Sequence, residues 1–503
     1  MITFLVALVV LVVGYVLYGT LVEKIFGIDP KAETPAITKN DGVDFVPMSG
    51  WRIFLVQFLN IAGLGPIFGA IMGIFFGPAA FLWIVFGTIF AGGVHDYLSG
   101  MLSLRKGGVS LPEIVGSELG SGIRVFMRVL SLVLLLLLTT TFLSGPATLL
   151  QGLAPLSTLP FHGRALPIAW LLIIFAYYAM ATVLPVDKLI GRFYPIFGAM
   201  LLFMGVGIAI VMLTQHGSAM PELTDGLQNR KADGLPLFPM MFVSIACGAI
   251  SGFHGTQSPI MSRCLTNERQ GRWIFYGAMV AEGILALIWA AAAGTFFADP
   301  EQGLDGIGGL QAFASHYDRG TNLPALIVDK VSRSWLGTVG GVLAIIGVIA
   351  APITSGDTAL RSARLIVADF LHIDQKPKMK RLMIALPLFL CVFALVFVNF
   401  EIVWRYFSWT NQTLAMFTLW AGTVWLYKNQ KSEIRNQKYS FGYLIALIPA
   451  LFMTMVSTSY ILIAPEGFRL PEQYRWIGYA IAGVITLACL CGFTFWAKNY
   501  KAK

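Results

Sequence analysis

The sequence predicts an all-α polytopic membrane protein of about thirteen transmembrane helices, ten of them forming two five-helix repeats of opposite topology, each opened by a broken helix. Three observations point there. Of the 503 residues, 57% are hydrophobic and only 12% charged, with a mean hydropathy of +0.74, whereas soluble domains carry about 25% charged residues. Thirteen segments are long and apolar enough to cross a bilayer. Two of them are interrupted by clusters of helix-breaking residues about 190 positions apart.

A spanning helix needs about 20 mostly apolar residues, and the candidates run 2–19, 52–77, 79–104, 122–146, 166–183, 189–214, 238–262, 273–297, 336–360, 382–400, 406–427, 441–464 and 476–497. The first opens with Met-Ile-Thr, which lacks the basic n-region of a secretory signal, and is read as a retained span. Assigning alternate connections to one side places 26 of the 35 Lys and Arg there and 9 on the other. Basic residues favour cytoplasmic loops, so the expected topology has the amino terminus outside and the carboxyl terminus inside. The net charge of +9 then reflects this topology and attraction to anionic lipid; no nucleic-acid partner is expected.

The first interruption is Asn60-Ile-Ala-Gly-Leu-Gly-Pro66, with Gly63, Gly65 and Pro66 as breakers; the second is "SGFHGTQSP", Ser251 to Pro259. Irregular backbone at membrane depth survives where it is buried in protein or lines a wet cavity. Paired interruptions in matching positions of two halves point to a solute site. Counting from the first interrupted span, five helices precede the second. An odd count makes the next five enter from the opposite side. The expected units are 1–51 (an extra span and loop), 52–214 (first repeat), 238–427 (second repeat) and 441–503 (two accessory spans and a tail). Both interruptions are expected to unwind, at Gly63 to Pro66 and between about Gly252 and Pro259. The polar residues there, Asn60, Ser251, His254, Gly255, Thr256, Gln257 and Ser258, are the expected substrate contacts.

A charge at mid-bilayer costs about 3 kcal/mol or more, so intramembrane ionisable residues are functional candidates. Three acids lie inside predicted spans, Asp96, Glu282 and Asp357, with two histidines, His95 and His254. Asp96 and Glu282 each lie roughly 15 Å from the inner interface at 1.5 Å per residue. His95, Asp96 and Glu282 are therefore the expected coupling groups for H⁺. The bland alternative for each acid is a protonated carboxyl satisfied by a neighbouring hydroxyl. Asp357 is a further coupling candidate; the bland alternative there is a local ion pair with Arg361, one turn on. Thr354, Ser355 and Thr358 share one helix face and offer oxygens for Na⁺ beside carbonyls freed near Ala62 and Gly63; the alternative is hydroxyls bonded back to their own helix.

The stretches "IAGLGPIFGAIMG", "GGVHDYLSGMLSLRKGGVSLPEIVG", "ACGAISGFHGTQSP", "RWIFYGAMVAEGI", "ITSGDTALRSAR" and "WTNQTLAMFTLW" resemble the carbon starvation protein A family over roughly residues 50–430. That resemblance implies a LeuT-like transporter of the amino acid, polyamine and organocation type, in a bacterial inner membrane, importing pyruvate or peptides with protons. It places the family's glycine-proline break on Gly63, Gly65 and Pro66, and its second-helix Asp on Asp96. Its "SGFH" falls on Ser251 to His254, its seventh-helix acid on Glu282, and its "TSGDT" on Thr354 to Thr358. Where the family has serines and threonines after "SGFH", this chain has Gly255, Thr256, Gln257 and Ser258, a departure that bears on which ligand fits. The chain is also shorter than the large members.

The five cysteines show no CxxC spacing, and no Walker loop, dinucleotide fingerprint or HExxH motif occurs, which removes the simplest support for ATP-driven transport or membrane proteolysis. The leading expectation is a secondary transporter without cofactor that binds a small solute and couples to H⁺. The alternatives are a Na⁺-coupled amino acid or carboxylate transporter, a channel, and a non-transporting nutrient sensor or scaffold.

Overall fold

The computed structural model describes all residues except 43, 162–163, 184–185, 318–320, 372, 374–376, 432–439 and 501–503. The long helices are α1 (Ile2–Phe26), α2 (Gly50–Ile61), α3 (Leu64–Ile74), α4 (Gly93–Arg105), α5 (Ser121–Leu153), α6 (Ile168–Val183), α7 (Val186–Gln215), α8 (Leu237–Ser244), α9 (Ala246–Ala249), α10 (Gly252–Ser262), α11 (Gly277–Phe296), α12 (Leu323–Leu371), α13 (Lys378–Val396), α14 (Phe400–Lys431), α15 (Leu444–Ile463) and α16 (Arg475–Asn499). Among the described residues, nine helices are long and apolar enough to cross a membrane, and ten if the bent pair α2 and α3 is one span. The three remaining predicted spans are helical but depart from a plain apolar rod. α6 is short, α8 to α10 are interrupted, and α14 carries the polar run Ser408 to Thr413.

Burial sorts these helices. In the 18-residue apolar windows of Ala79–Arg105 and Glu268–Phe296, 83% of residues are buried, against 22% in that of Ile2–Phe26 and 17% in that of Glu472–Asn499. The helices bearing Asp96 and Glu282 are thus the centre of the bundle, and the first and last helices offer apolar faces suited to lipid. Each central helix is preceded by a π-helical stretch, Trp83–Gly92 before α4 and Arg272–Tyr276 before α11. Wider turns of this kind rotate the residues beyond them to a different face, and they recur at functional sites.

Two connections depart from expectation. The region 298–335, predicted as a long loop, holds the helix Gly306–Ser315 and the first turns of α12, which bends at Gly337 (φ 67°, ψ −175°). Between α5 and α6 lies a small hairpin, β1 (Leu159–Phe161) antiparallel to β2 (Arg164–Leu166). At the α4 end distant from the breaks, Arg105 clamps Glu268 with two bonds (Nε to Oε1 3.0 Å, Nη2 to Oε2 2.8 Å). The same guanidinium stacks over Phe26 of α1 at 4.2 Å. This bidentate pair ties the extra first helix to both repeats.

Candidate transport site

The first interruption is narrower than predicted. α2 ends at Ile61, only Ala62 and Gly63 leave helical geometry, and α3 begins at Leu64 with an axis bent by 44°. Gly65 and Pro66 are the second and third residues of α3. Proline is tolerated there because first-turn N–H groups have no partner within the helix. Gly65 is needed for packing: a side chain there would overlap Cys247 of α9, so the two interrupted segments close directly on one another.

The second interruption falls earlier than predicted. Ile250 (φ −160°, ψ 137°) and Ser251 (φ −143°, ψ 122°) are extended, and α10 runs helical from Gly252 through Pro259 to Ser262. The stretch "GFHGTQSP" is therefore the start of a half-helix and does not unwind. The reason is an external cap. Asn411 of α14 accepts from Phe253 N through Oδ1 at 2.7 Å and donates through Nδ2 to Ser251 Oγ at 3.0 Å, while Gln412 Nε2 donates to Ile250 O at 3.3 Å. With the first turn capped from a neighbouring helix, helical geometry resumes at once. Asn411 and Gln412 were not among the candidate residues, although both lie in "WTNQTLAMFTLW". A polar pair within an apolar span was the available signal.

The histidines and acids converge, and all four side chains are fully buried. His95 Nδ1 lies 2.8 Å from Asp96 Oδ1, and His254 Nδ1 lies 2.8 Å from Asp96 Oδ2. His254 Nε2 is 3.2 Å from Glu282 Oε2. Asp96 is thus met by two imidazoles and not by a hydroxyl, contrary to the bland alternative, while Glu282 stands within ion-pair distance of His254 without a hydrogen bond. Gly255 permits this. A methyl there would stand 3.0 Å from Leu111 Cδ2 and 3.1 Å from the His95 ring, so any larger residue crowds both side chains. No Lys or Arg lies within ion-pair distance of Asp96 or Glu282 among the described residues.

The other predicted contacts divide. Gln57, missed in the sequence, donates to Ser258 Oγ at 3.2 Å, linking α2 to α10. Gln257 is buried with neither its oxygen nor its nitrogen bonded, and Glu282 Oε1, Glu282 Oε2 and His254 Nε2 are likewise without a hydrogen bond, the last two standing 3.2 Å apart; buried polar atoms left this way are what a bound solute or water satisfies. Thr256 turns back to Phe253 O at 2.7 Å. The Asn60 carbonyl accepts from Ser355 Oγ at 2.8 Å.

In the α12 cluster, Ser355 Oγ reaches the carbonyls of Asn60 and, at 3.4 Å, Leu59. The freed oxygens are therefore those closing α2, one turn before the predicted Ala62 and Gly63. Thr354 and Thr358 bond to their own helix, at 2.8 Å to Ala351 O and 2.9 Å to Ser355 O. The bland alternative for Asp357, a local pair with Arg361, does not form: Asp357 Oδ1 is buried without a partner, and Arg361 Nη2 points to Ala181 O at 3.4 Å. Arg361 follows the α6 carbonyl because α6 and α12 pack together.

Similarity to solved structures covers most of the chain. A manganese transporter of Eremococcus coleocola matches with a TM-score of 0.54 at 13% identity, over 91% of this chain and 98% of that one. MhsT in complex with L-phenylalanine matches with a TM-score of 0.55 at 15% identity, over 80% and 98%. The fold is the LeuT type, with inverted repeats and two broken helices. In sequence, an uncharacterized membrane protein of Haemophilus influenzae is 46% identical over 61% of this chain and 94% of its own length. The Escherichia coli pyruvate/proton symporter BtsT is 28% identical over 64% of this chain and 53% of that protein, and the Campylobacter jejuni peptide transporter CstA is 30% identical over 56% and 48%. The chain thus spans about half the length of the named transporters it matches. The model for the family described as carbon starvation protein CstA matches residues 1–162 and 161–305, and with these motifs on a LeuT-type fold the chain belongs to the carbon starvation protein CstA family.

Proposed function

We propose that this multi-pass membrane protein is a secondary active transporter that imports a small carboxylate-bearing nutrient, pyruvate or a peptide, by alternating access coupled to protons. One observation carries the reading: two interrupted helices, closed on one another, abut a buried histidine and carboxylate array that no Lys or Arg among the described residues neutralises. Burial of unpaired carboxylates is costly, so protons must accompany them, and a site that holds protons beside a solute site has the parts of a symporter. The solute would lie along α10, where the unbonded Gln257 amide offers both a donor and an acceptor, with Asp96 and Glu282 carrying the coupling proton. The names of the Escherichia coli and Campylobacter jejuni relatives supply the two solute classes.

The repeats are assigned to 52–214 and 238–427, with 1–51 and 441–503 as accessory parts. The bacterial transporter relatives favour an inner membrane, and the distribution of Lys and Arg favours an amino terminus outside. A Na⁺-driven reading has one observation of its own: Ser355 Oγ and the Leu59 and Asn60 carbonyls converge near the first break. The test is uptake into proteoliposomes of labelled pyruvate and labelled dialanine under imposed proton or sodium gradients. Accumulation driven by the proton gradient is expected. Accumulation driven by sodium alone replaces H⁺ with Na⁺, and movement of neither solute under either gradient favours a sensor or scaffold.

A further inference from the structure

We propose that His254 is the shuttle through which the coupling proton passes between Asp96 and Glu282, an assignment that rests on the proton-coupled reading above. The two ring nitrogens of His254 face carboxylates from different repeats, Nδ1 toward Asp96 Oδ2 at 2.8 Å and Nε2 toward Glu282 Oε2 at 3.2 Å. A neutral imidazole has one donor and one acceptor nitrogen, so it cannot donate to both acids. With the proton on Nδ1 it donates to Asp96 and presents an acceptor to protonated Glu282.

The transfer then balances. The Glu282 Oε2–H bond breaks as Nε2–H forms, and the Nδ1–H bond breaks as Asp96 Oδ2–H forms. Glu282 is left ionised, Asp96 neutral, and the ring neutral in its other tautomer. An amide or a hydroxyl in this position cannot accept at one atom while releasing from another.

Placement adds the conformational element. His254 is the third residue of α10, just past the extended pair Ile250 and Ser251, whereas Asp96 and Glu282 stand on α4 and α11, which the breaks do not interrupt. A tilt of α10 about that pair changes the distances from the ring to the two acids in opposite senses. The neighbouring titratable groups take other roles. His95 touches Asp96 through its other oxygen and holds that carboxylate's orientation. Cys247 Sγ accepts from Asn411 Nδ2 at 3.3 Å. Among the described residues, no Lys or Arg pairs with either acid, so only protons set the charge of the chain.

The test separates exchange from accumulation in proteoliposomes with labelled pyruvate or dialanine. In His254→Gln the ratio of gradient-driven accumulation to label exchange, and the proton uptake per solute read by a trapped pH dye, are expected to fall at least about tenfold. Parent-level accumulation by His254→Gln overturns the shuttle and leaves proton coupling standing. A parent indifferent to the proton gradient sinks the coupling reading itself. Because a buried substitution can impair folding, nitrogen NMR of the labelled imidazoles in bilayers decides independently of any solute. Both His254 tautomers are expected in the parent and a single one after Asp96→Asn or Glu282→Gln; one fixed tautomer in the parent at every pH overturns the proposal.

Discussion

The two interruptions are similar in composition and opposite in what they demand. At the first, α2 terminates, and its last carbonyls lack the N–H groups that a continuing helix would supply. A donor answers them, the hydroxyl of Ser355. At the second, α10 begins, and its first N–H groups need an acceptor. Asn411 supplies it and also holds Ser251, with Gln412 on the Ile250 carbonyl. The donor thus meets the carbonyl end of a half-helix at the first break, and the acceptor meets the positive end of a half-helix at the second. The first suits a cation or a bare helix contact; the second stands beside the proton array. The composition of a break says that a helix stops, and its neighbours decide its electrical sense.

That comparison can be broken most directly at Asn411. Its replacement by Ala removes the acceptor of Phe253 N and the donor to Ser251, and each buried group left unsatisfied costs about 1–3 kcal/mol. Asn411→Ala should therefore destabilise the detergent-purified protein by about 2–5 kcal/mol, read by thermal unfolding. A loss no greater than that of Ser355→Ala would show that the second break is not held this way.

The contact between the breaks comes next. Gly65→Ala places a methyl against Cys247, and overpacking of this kind costs about 1–3 kcal/mol. Cys247→Ala should recover part of it, because Gly65 and Cys247 are in direct contact and their effects are not additive. Full additivity in that cycle would mean the segments do not close on one another. Ser355→Ala, which removes one neutral donor at the first break, should cost about 1 kcal/mol, with a shift in the sodium dependence of uptake only if a cation uses these oxygens. Thr358→Ala should be smallest, within about 0.5 kcal/mol, since its hydroxyl bonds back to α12. A Thr358→Ala variant that alters sodium dependence while Ser355→Ala does not would move the cation site away from the first break.

Much of the site was visible before the fold. Asp96, Glu282, His95 and His254 stood out because ionisable groups in apolar spans are costly, and they do meet. Their pairing was not visible, since Asp96 and His254 are 158 positions apart in the chain and their approach depends on Gly255, on the π-helical turns before α4 and on the start of α10. The Asp357–Arg361 pair, the bland alternative for that acid, shows the limit of spacing from the other side. The spacing was right for a local contact, but Arg361 bonds to the Ala181 carbonyl on another helix. The second break was also misplaced, by reading breakers as unwinding where Asn411 allows the helix to resume.

By itself the sequence determined the solvent, the rough bounds of most of the long helices, the presence of two matched interruptions and the list of costly polar groups. Each follows from local composition, because a lipid environment forces every apolar run of sufficient length into a helix and penalises every exception. The tertiary structure alone decided where each break begins and which atoms close it. It also placed both nitrogens of His254 between acids of different repeats. Those outcomes turn on sub-ångström packing between helices distant in the chain, where one glycine or one amide on a neighbouring span selects the contact.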